Sequence, residues 1–149
     1  MKALVVYDSG YGNTEKIAQA IGNTIGGDVK TLRIGDVKPD DLNAIDLLVI
    51  GSPTLGGRAT PAIQEFLKKL PDSIIKEKKV AVFDTRITSK MVGIFGYAAG
   101  KLADSLKKRG ASLISSPEGF FVTTGKGPLK EGELERAVSW AQQLLKSGK

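Results

Sequence analysis

An α/β architecture, in which a parallel sheet carries helices on both faces, is what this sequence predicts, and three observations predict it. The runs Ala3-Leu4-Val5-Val6-Tyr7 and Leu47-Leu48-Val49-Ile50 are apolar without alternation, the character of strands covered on both faces. Segments with apolar residues at helical spacing follow the runs, so short strand–helix units recur, and such units require a parallel sheet with right-handed crossovers. Glycine-rich stretches follow both runs, and ligands of open parallel sheets sit beyond the carboxyl ends of the strands.

The elements follow in order. After the first strand, Ile17, Ala18, Ile21 and Ile25 mark a helical face that starts at Thr14, and Gly26-Gly27 stops it. Residues 29–34 alternate enough to be a strand exposed on one face, which suits a sheet edge. In the stretch 35–43, with Pro39, Asp40-Asp41-Leu42 reads as a short helical turn rather than a metal site. The second apolar run is a central strand ended by Gly51-Ser52-Pro53-Thr54-Leu55-Gly56-Gly57-Arg58. Thr60 then caps a helix with Pro61 in its first turn, Ile63, Phe66, Leu67 and Leu70 on one face, and Pro71 as its stop. Lys79-Val80-Ala81-Val82-Phe83 is the next strand, and Asp84-Thr85-Arg86 leaves its end. Residues 88–96 form a partly apolar loop before a helix over about 97–109, ended by Gly110. Residues 111–114 and 119–122 make the last strand, bent around Ser115-Ser116-Pro117. A loop over 123–129 leads to a closing helix over 131–145, with Leu134, Val138, Ala141 and Leu145 inward and Trp140 packed beside them. No repeat or linker interrupts the chain, so residues 1–149 are expected to form one domain.

Composition narrows the chemistry. Apolar content of 41% and charged content of 26% are ordinary for a globular protein in water. No apolar stretch is long enough to span a membrane, and the chain begins on a strand without a signal-peptide pattern, so the expected location is cytoplasmic. The absence of cysteine and histidine excludes disulfides, thiolate nucleophiles, cysteine-ligated clusters, the usual zinc sites and Ser-His catalysis. Any redox chemistry must then be carried by a bound cofactor. The formal net charge of +6 is spread over helix faces and ends without interleaved aromatics. Solvated surface is the first reading of that charge, a protein partner with an acidic face the second, and nucleic acid the last.

The stretch Asp8-Ser9-Gly10-Tyr11-Gly12-Asn13-Thr14 is the candidate site. Its glycines let backbone N–H groups turn inward, and a helix start presents unpaired donors and the positive end of its dipole, so it can hold a phosphate without lysine or arginine. A plain helix cap formed by Asn13 or Thr14 is the alternative reading of the same residues. The loops at 8–14, 51–58 and from 84 onward all leave carboxyl ends of strands and should meet over one crevice.

Val-Val-Tyr-Asp-Ser-Gly-Tyr-Gly-Asn-Thr-Glu resembles the phosphate loop of flavodoxins, and Gly-Ser-Pro-Thr-Leu-Gly resembles their second loop; Gly-Pro-Leu-Lys-Glu-Gly-Glu-Leu near the end is similar too. The resemblance covers essentially the whole chain. It implies a single-domain, three-layer α/β/α flavodoxin-like fold with a five-stranded parallel sheet in the order 2-1-3-4-5, and FMN as cofactor. By position, Ser9, Gly10, Tyr11, Gly12, Asn13 and Thr14 would cradle the FMN phosphate. Pro53, Thr54, Leu55, Gly56 and Gly57 would border the inner side of the ring, and residues from Asp84 onward, beginning with Thr85 and Arg86, the outer side. Tyr11 stands where threonine is commonest, as in the flavodoxin domains of quinone reductases and diiron flavoproteins. Leu55 stands where tryptophan is common, and no tyrosine immediately follows the acidic residue of the third loop.

The function implied is an electron carrier between redox partner proteins, monomeric, with no nucleic acid and no membrane span involved. An FMN-dependent NAD(P)H:quinone reductase is the alternative, hinted at by Tyr11-Gly12 but short of spare length for a nicotinamide pocket. A phosphorylatable receiver of the same topology lacks its acceptor aspartate, since Gly51-Ser52 ends the third strand. Either Gly56 or Gly57 is a peptide that rotates with flavin reduction or both are ordinary turn glycines. Likewise Arg58 and Arg86 either bring positive charge to the ring, or point to solvent or pair with Asp84 or Glu65.

Overall fold

The computed structural model describes residues 1–87 and 97–148. Its strands are β1 (Lys2–Tyr7), β2 (Asp28–Arg33), β3 (Leu47–Pro53), β4 (Lys79–Ile87), β5 (Ser112–Leu113) and β6 (Glu118–Val122). The helices are α1 (Asn13–Ile25), α2 (Pro61–Lys69), a single turn α3 (Asp72–Ile75), α4 (Ala98–Lys108) and α5 (Glu133–Ser147). All strand pairs are parallel, in the order β2-β1-β3-β4-β5, with β6 also on β4. The expected order is therefore observed, with the bent last strand split into two segments that both pair with β4. Pro117, which lacks an N–H for the ladder, lies in the break.

Strand period sorts the core into two halves. Leu4, Val6, Leu48, Ile50, Val80 and Val82 face Ile63, Leu67, Leu102 and Leu106 of α2 and α4. Their neighbours Val5, Tyr7, Val49, Ala81 and Phe83 face Ile17 and Ile21 of α1 and Trp140 and Leu144 of α5. Each such apolar side chain, fully buried, contributes about 1.5–3 kcal/mol. Phe83, Phe120 and Trp140 meet edge to face with centroids 5.9, 6.0 and 6.1 Å apart, and the indole N–H of Trp140 donates to Ser115 Oγ at 3.1 Å. Gly51 leaves the room that Phe83 fills, since a Cβ there would lie 2.0 Å from Phe83 Cζ.

Four expectations are corrected. Asp84, Thr85 and Arg86 do not leave the strand; they are part of β4, Asp84 and Thr85 held between β3 and β6 and Arg86 paired with Phe121 of β6. β3 likewise runs on to Pro53. Helix α1 is preceded by Gly12 with φ 90°, and neither Asn13 nor Thr14 caps it. On α5 the inward face is Ala137, Trp140, Ala141 and Leu144, while Leu134 and Val138 are exposed, because the large indole sets the rotation of the helix. The apolar loop expected over 88–96 lies outside the described residues.

Candidate functional site

The turn after β1 is tied from several directions. Ser9 N donates to Asp8 Oδ1 at 2.9 Å, and Gly12 N donates to Ser9 Oγ at 3.0 Å, which leaves the Ser9 hydroxyl hydrogen for another acceptor. Asn13 Nδ2 donates to the Lys126 carbonyl at 3.2 Å, and the Thr14 and Thr85 hydroxyls share a buried hydrogen bond of 2.8 Å. Arg33, at the end of β2, donates to the Ser9 carbonyl at 2.8 Å and lies over the Tyr7 ring. The Tyr7 hydroxyl donates to Glu15 at 2.8 Å, and burial followed by that carboxylate pushes its pKa up.

The backbone N–H groups of Gly10, Tyr11, Asn13, Thr14 and Glu15 meet no protein acceptor among the described residues. Orphan donors at a helix start, with the dipole behind them, form an anion site. The donor set fits a phosphate monoester, and it does so with Asn13 and Thr14 buried, which a mere helix cap does not require.

The second loop is a tight turn. Leu55 and Arg58 exchange backbone hydrogen bonds of 2.8 and 3.0 Å across Gly56 (φ 56°) and Gly57 (φ 79°), the positive pair that a primed hairpin turn demands. Leu55, which opens the turn, is 56% exposed. Thr54 anchors its base, its N–H donating to the Thr85 carbonyl at 2.8 Å and its hydroxyl accepting from Ala98 N at 3.2 Å.

At the end of β4, alternation sends Thr85 toward α1 and sends Asp84 and Arg86 toward α4. The Asp84 carboxylate is fully buried and takes both Arg86 Nε (2.6 Å) and Nη2 (2.8 Å), a bidentate pair, as well as the N–H of Ala99 at 2.9 Å. Arg86 stacks on Tyr97, its guanidinium carbon 3.5 Å from the ring centroid, and Gly119 of β6 supplies the space, since a Cβ there would sit 2.2 Å from that carbon. Of the two readings of Arg86, the structure takes the ion pair with Asp84.

These parts surround a cleft of about 340 Å³ at the carboxyl edge of the sheet, a size suited to a small cofactor. Of the residues expected there, Ser9, Gly10, Tyr11, Asn13, Thr14, Pro53, Thr54, Leu55, Thr85 and Arg86 line it. Gly12, Gly56, Gly57 and Asp84 do not line it. Val122 and Gly125 add a fourth side that sequence reasoning missed. The signal was available, because β6 also ends at this edge in a parallel sheet. A groove between α2 and α4 is larger, about 440 Å³, but it lacks the orphan donors that mark the cleft.

A family model described as flavodoxin matches residues 5–140. The flavodoxin of Megasphaera elsdenii is 31% identical over 121 residues, 75% of this chain and 81% of its own. That of Clostridium beijerinckii is 32% identical over 126 residues, covering 76% and 81%. The solved structure of a flavodoxin from the domain Archaea superposes with a TM-score of 0.81 over 100% of both chains, at 24% identity.

Proposed function

The chain belongs to the flavodoxin family, and from that premise we propose which of its residues hold the flavin. It is an FMN-binding electron-transfer protein serving redox partner proteins, and the quinone reductase alternative is not favoured. Bound FMN supplies the one- and two-electron chemistry, while the protein supplies orientation and electrostatics.

The orphan N–H cluster from Gly10 to Glu15 carries the assignment. In this reading Ser9, Gly10, Tyr11, Gly12, Asn13 and Thr14 hold the terminal phosphate, with the Ser9 hydroxyl donating to it and Thr85 fixing Thr14. Arg33 adds positive charge from behind the loop. Pro53, Thr54 and Leu55 border one side of the ring on a turn shaped by Gly56 and Gly57. Arg86 borders the other side, and Asp84 is a positioning residue that acts through Arg86 and the start of α4.

Titrating the protein with FMN and with riboflavin tests the assignment. FMN should bind and give flavin absorption bands, and riboflavin should bind far more weakly. Equal affinity would remove the phosphate cradle.

The finer features belong to the same proposal. Residues 1–149 act as one domain, monomeric, in the cytoplasm, with partners whose acidic faces match the net charge of +6. Light scattering of the purified protein checks the monomer. Among the described residues no helix is long and apolar enough to cross a membrane.

A further inference from the structure

The groove between α2 and α4 has the build of a docking site. Ala59 and Leu67 on one wall and Ala98 and Leu102 on the other are buried and apolar at its base. Arg58, Lys68 and Lys101 stand exposed on its rim, and none of them has an ion-pair partner among the described residues. The nearby acids form no ion pair with them: Glu65 lies 3.9 Å from Lys69, Asp72 is held by Arg109 at 2.8 Å, and Asp104, one turn along α4 from Lys101, is within ion-pair distance of none of the three. Arg109 closes the far end, reaching across from α4 to the carbonyls of Leu67 and Leu70 at the end of α2.

The groove adjoins the proposed cofactor cleft. Its near end is Arg58 of the second loop and Ala98, whose N–H is bonded to Thr54 on the wall of the cleft. The first two backbone donors of the α4 start are already taken, Ala98 by Thr54 and Ala99 by Asp84, so the groove lacks the N–H cluster that distinguishes a phosphate site. A second copy of the chain would bring like charge to this rim. Carboxylates around an apolar anchor are the complement that remains.

We propose that the α2–α4 groove docks an acidic segment of an electron-transfer partner, with an apolar side chain entering between Leu67 and Leu102 and carboxylates on Arg58, Lys68 and Lys101. The proposal rests on the electron-carrier reading above, and it sets the partner beside the ring end of the cofactor. Arg58, on the second loop, is the link between the two sites.

The test uses FMN-loaded protein labelled with nitrogen-15 and a synthetic peptide with a leucine pair flanked by glutamates. Visible absorption of the same samples reports the cofactor, so loss of flavin bands speaks against the flavin assignment, while amide shifts speak to the groove. Shifts should concentrate at Arg58, Gln64, Lys68, Lys101, Leu102 and Ser105. Lys68→Glu with Lys101→Glu should weaken binding by about tenfold or more and leave the flavin spectrum unchanged, and added salt should weaken wild-type binding. A peptide with the leucine pair replaced by serine should bind more weakly. Shifts centred elsewhere, an affinity within about twofold of wild type for the double variant, or equal shifts of the same amides by inorganic phosphate would overturn the proposal.

Discussion

The two ends of the crevice, proposed to take the phosphate and the ring, are held by different kinds of contact. From Asp8 to Glu15 the architecture is largely local: a serine accepts from a glycine three residues on, and a helix start lines up donors that its own backbone cannot satisfy. The ring end is assembled from distant parts. Asp84 of β4, Tyr97 before α4 and Gly119 of β6 converge on one guanidinium, and the second loop leans on Thr85 and Ala98 through Thr54. A site that presents backbone N–H groups tolerates side-chain change, whereas a site built on a buried ion pair does not.

The largest effect should therefore come from the ring end. Asp84→Ala leaves Arg86 uncompensated and Ala99 N without an acceptor, and should cost about 3 kcal/mol in urea unfolding of the protein. Asp84→Asn with Arg86→Gln should recover part of that loss. Phosphate affinity of the folded Asp84→Ala fraction should stay near wild type; a parallel loss there would erase the separation between the two ends.

Substitution at the phosphate end should act on binding rather than stability. Ser9→Ala and Thr14→Ala should each weaken FMN by about 1–2 kcal/mol, one hydrogen bond to an anion, and leave riboflavin affinity unchanged by calorimetry. Thr85→Val sharpens the comparison, since it removes the partner of Thr14 without touching the cradle itself. It should give a smaller FMN loss than Thr14→Ala.

Gly56→Ala probes the turn. An added Cβ meets nothing within 4 Å, so the whole cost is the left-handed backbone at φ 56°, about 1 kcal/mol in thermal unfolding. An unchanged melting temperature would show that the turn relaxes, as the rotating-peptide reading of Gly56 and Gly57 requires.

The smallest effect is a pH dependence under the phosphate loop. The folded pKa of Tyr7 lies above its ordinary value of 10.0, so the folded chain keeps that proton where the unfolded chain releases it. The corresponding stability is fully present below the ordinary tyrosine range and is lost as pH climbs through it toward the raised value. Tyr7→Phe should flatten that alkaline decline in urea titrations, and an unchanged slope would place its origin elsewhere.

Much of the phosphate end was legible in the sequence because its determinants are contiguous. An apolar run, a Gly-x-Gly turn and an amphipathic helix point by themselves to a strand, a reversal and a set of unpaired N–H groups, although distant residues then tie the turn in place. The double coverage of β1 and β3 and the edge position of β2 were legible for the same reason, since burial on two faces or one writes itself into the alternation of a few residues. The rotation of α5 was not, because Leu134 and Val138 fit a helical stripe as well as Ala137 and Trp140 do, and the packing of Trp140 against Phe83 and Phe120, far away in sequence, decides between them.

The sequence by itself determined the alternation of strands and helices, the strand order implied by its family resemblance, and a glycine turn after the first strand whose helix start leaves N–H donors unpaired. Tertiary structure alone decided that Asp84-Thr85-Arg86 remains strand, that Thr85 faces Thr14 of the first loop while Asp84 and Arg86 face the start of α4, and that Arg33 and Lys126 reach the first loop. The physical reason is range. Turns, caps and periodicity are set by interactions within one or two turns of chain, whereas an ion pair in a sheet takes its meaning from the helix start and the glycine that happen to face it, and those lie far away along the sequence.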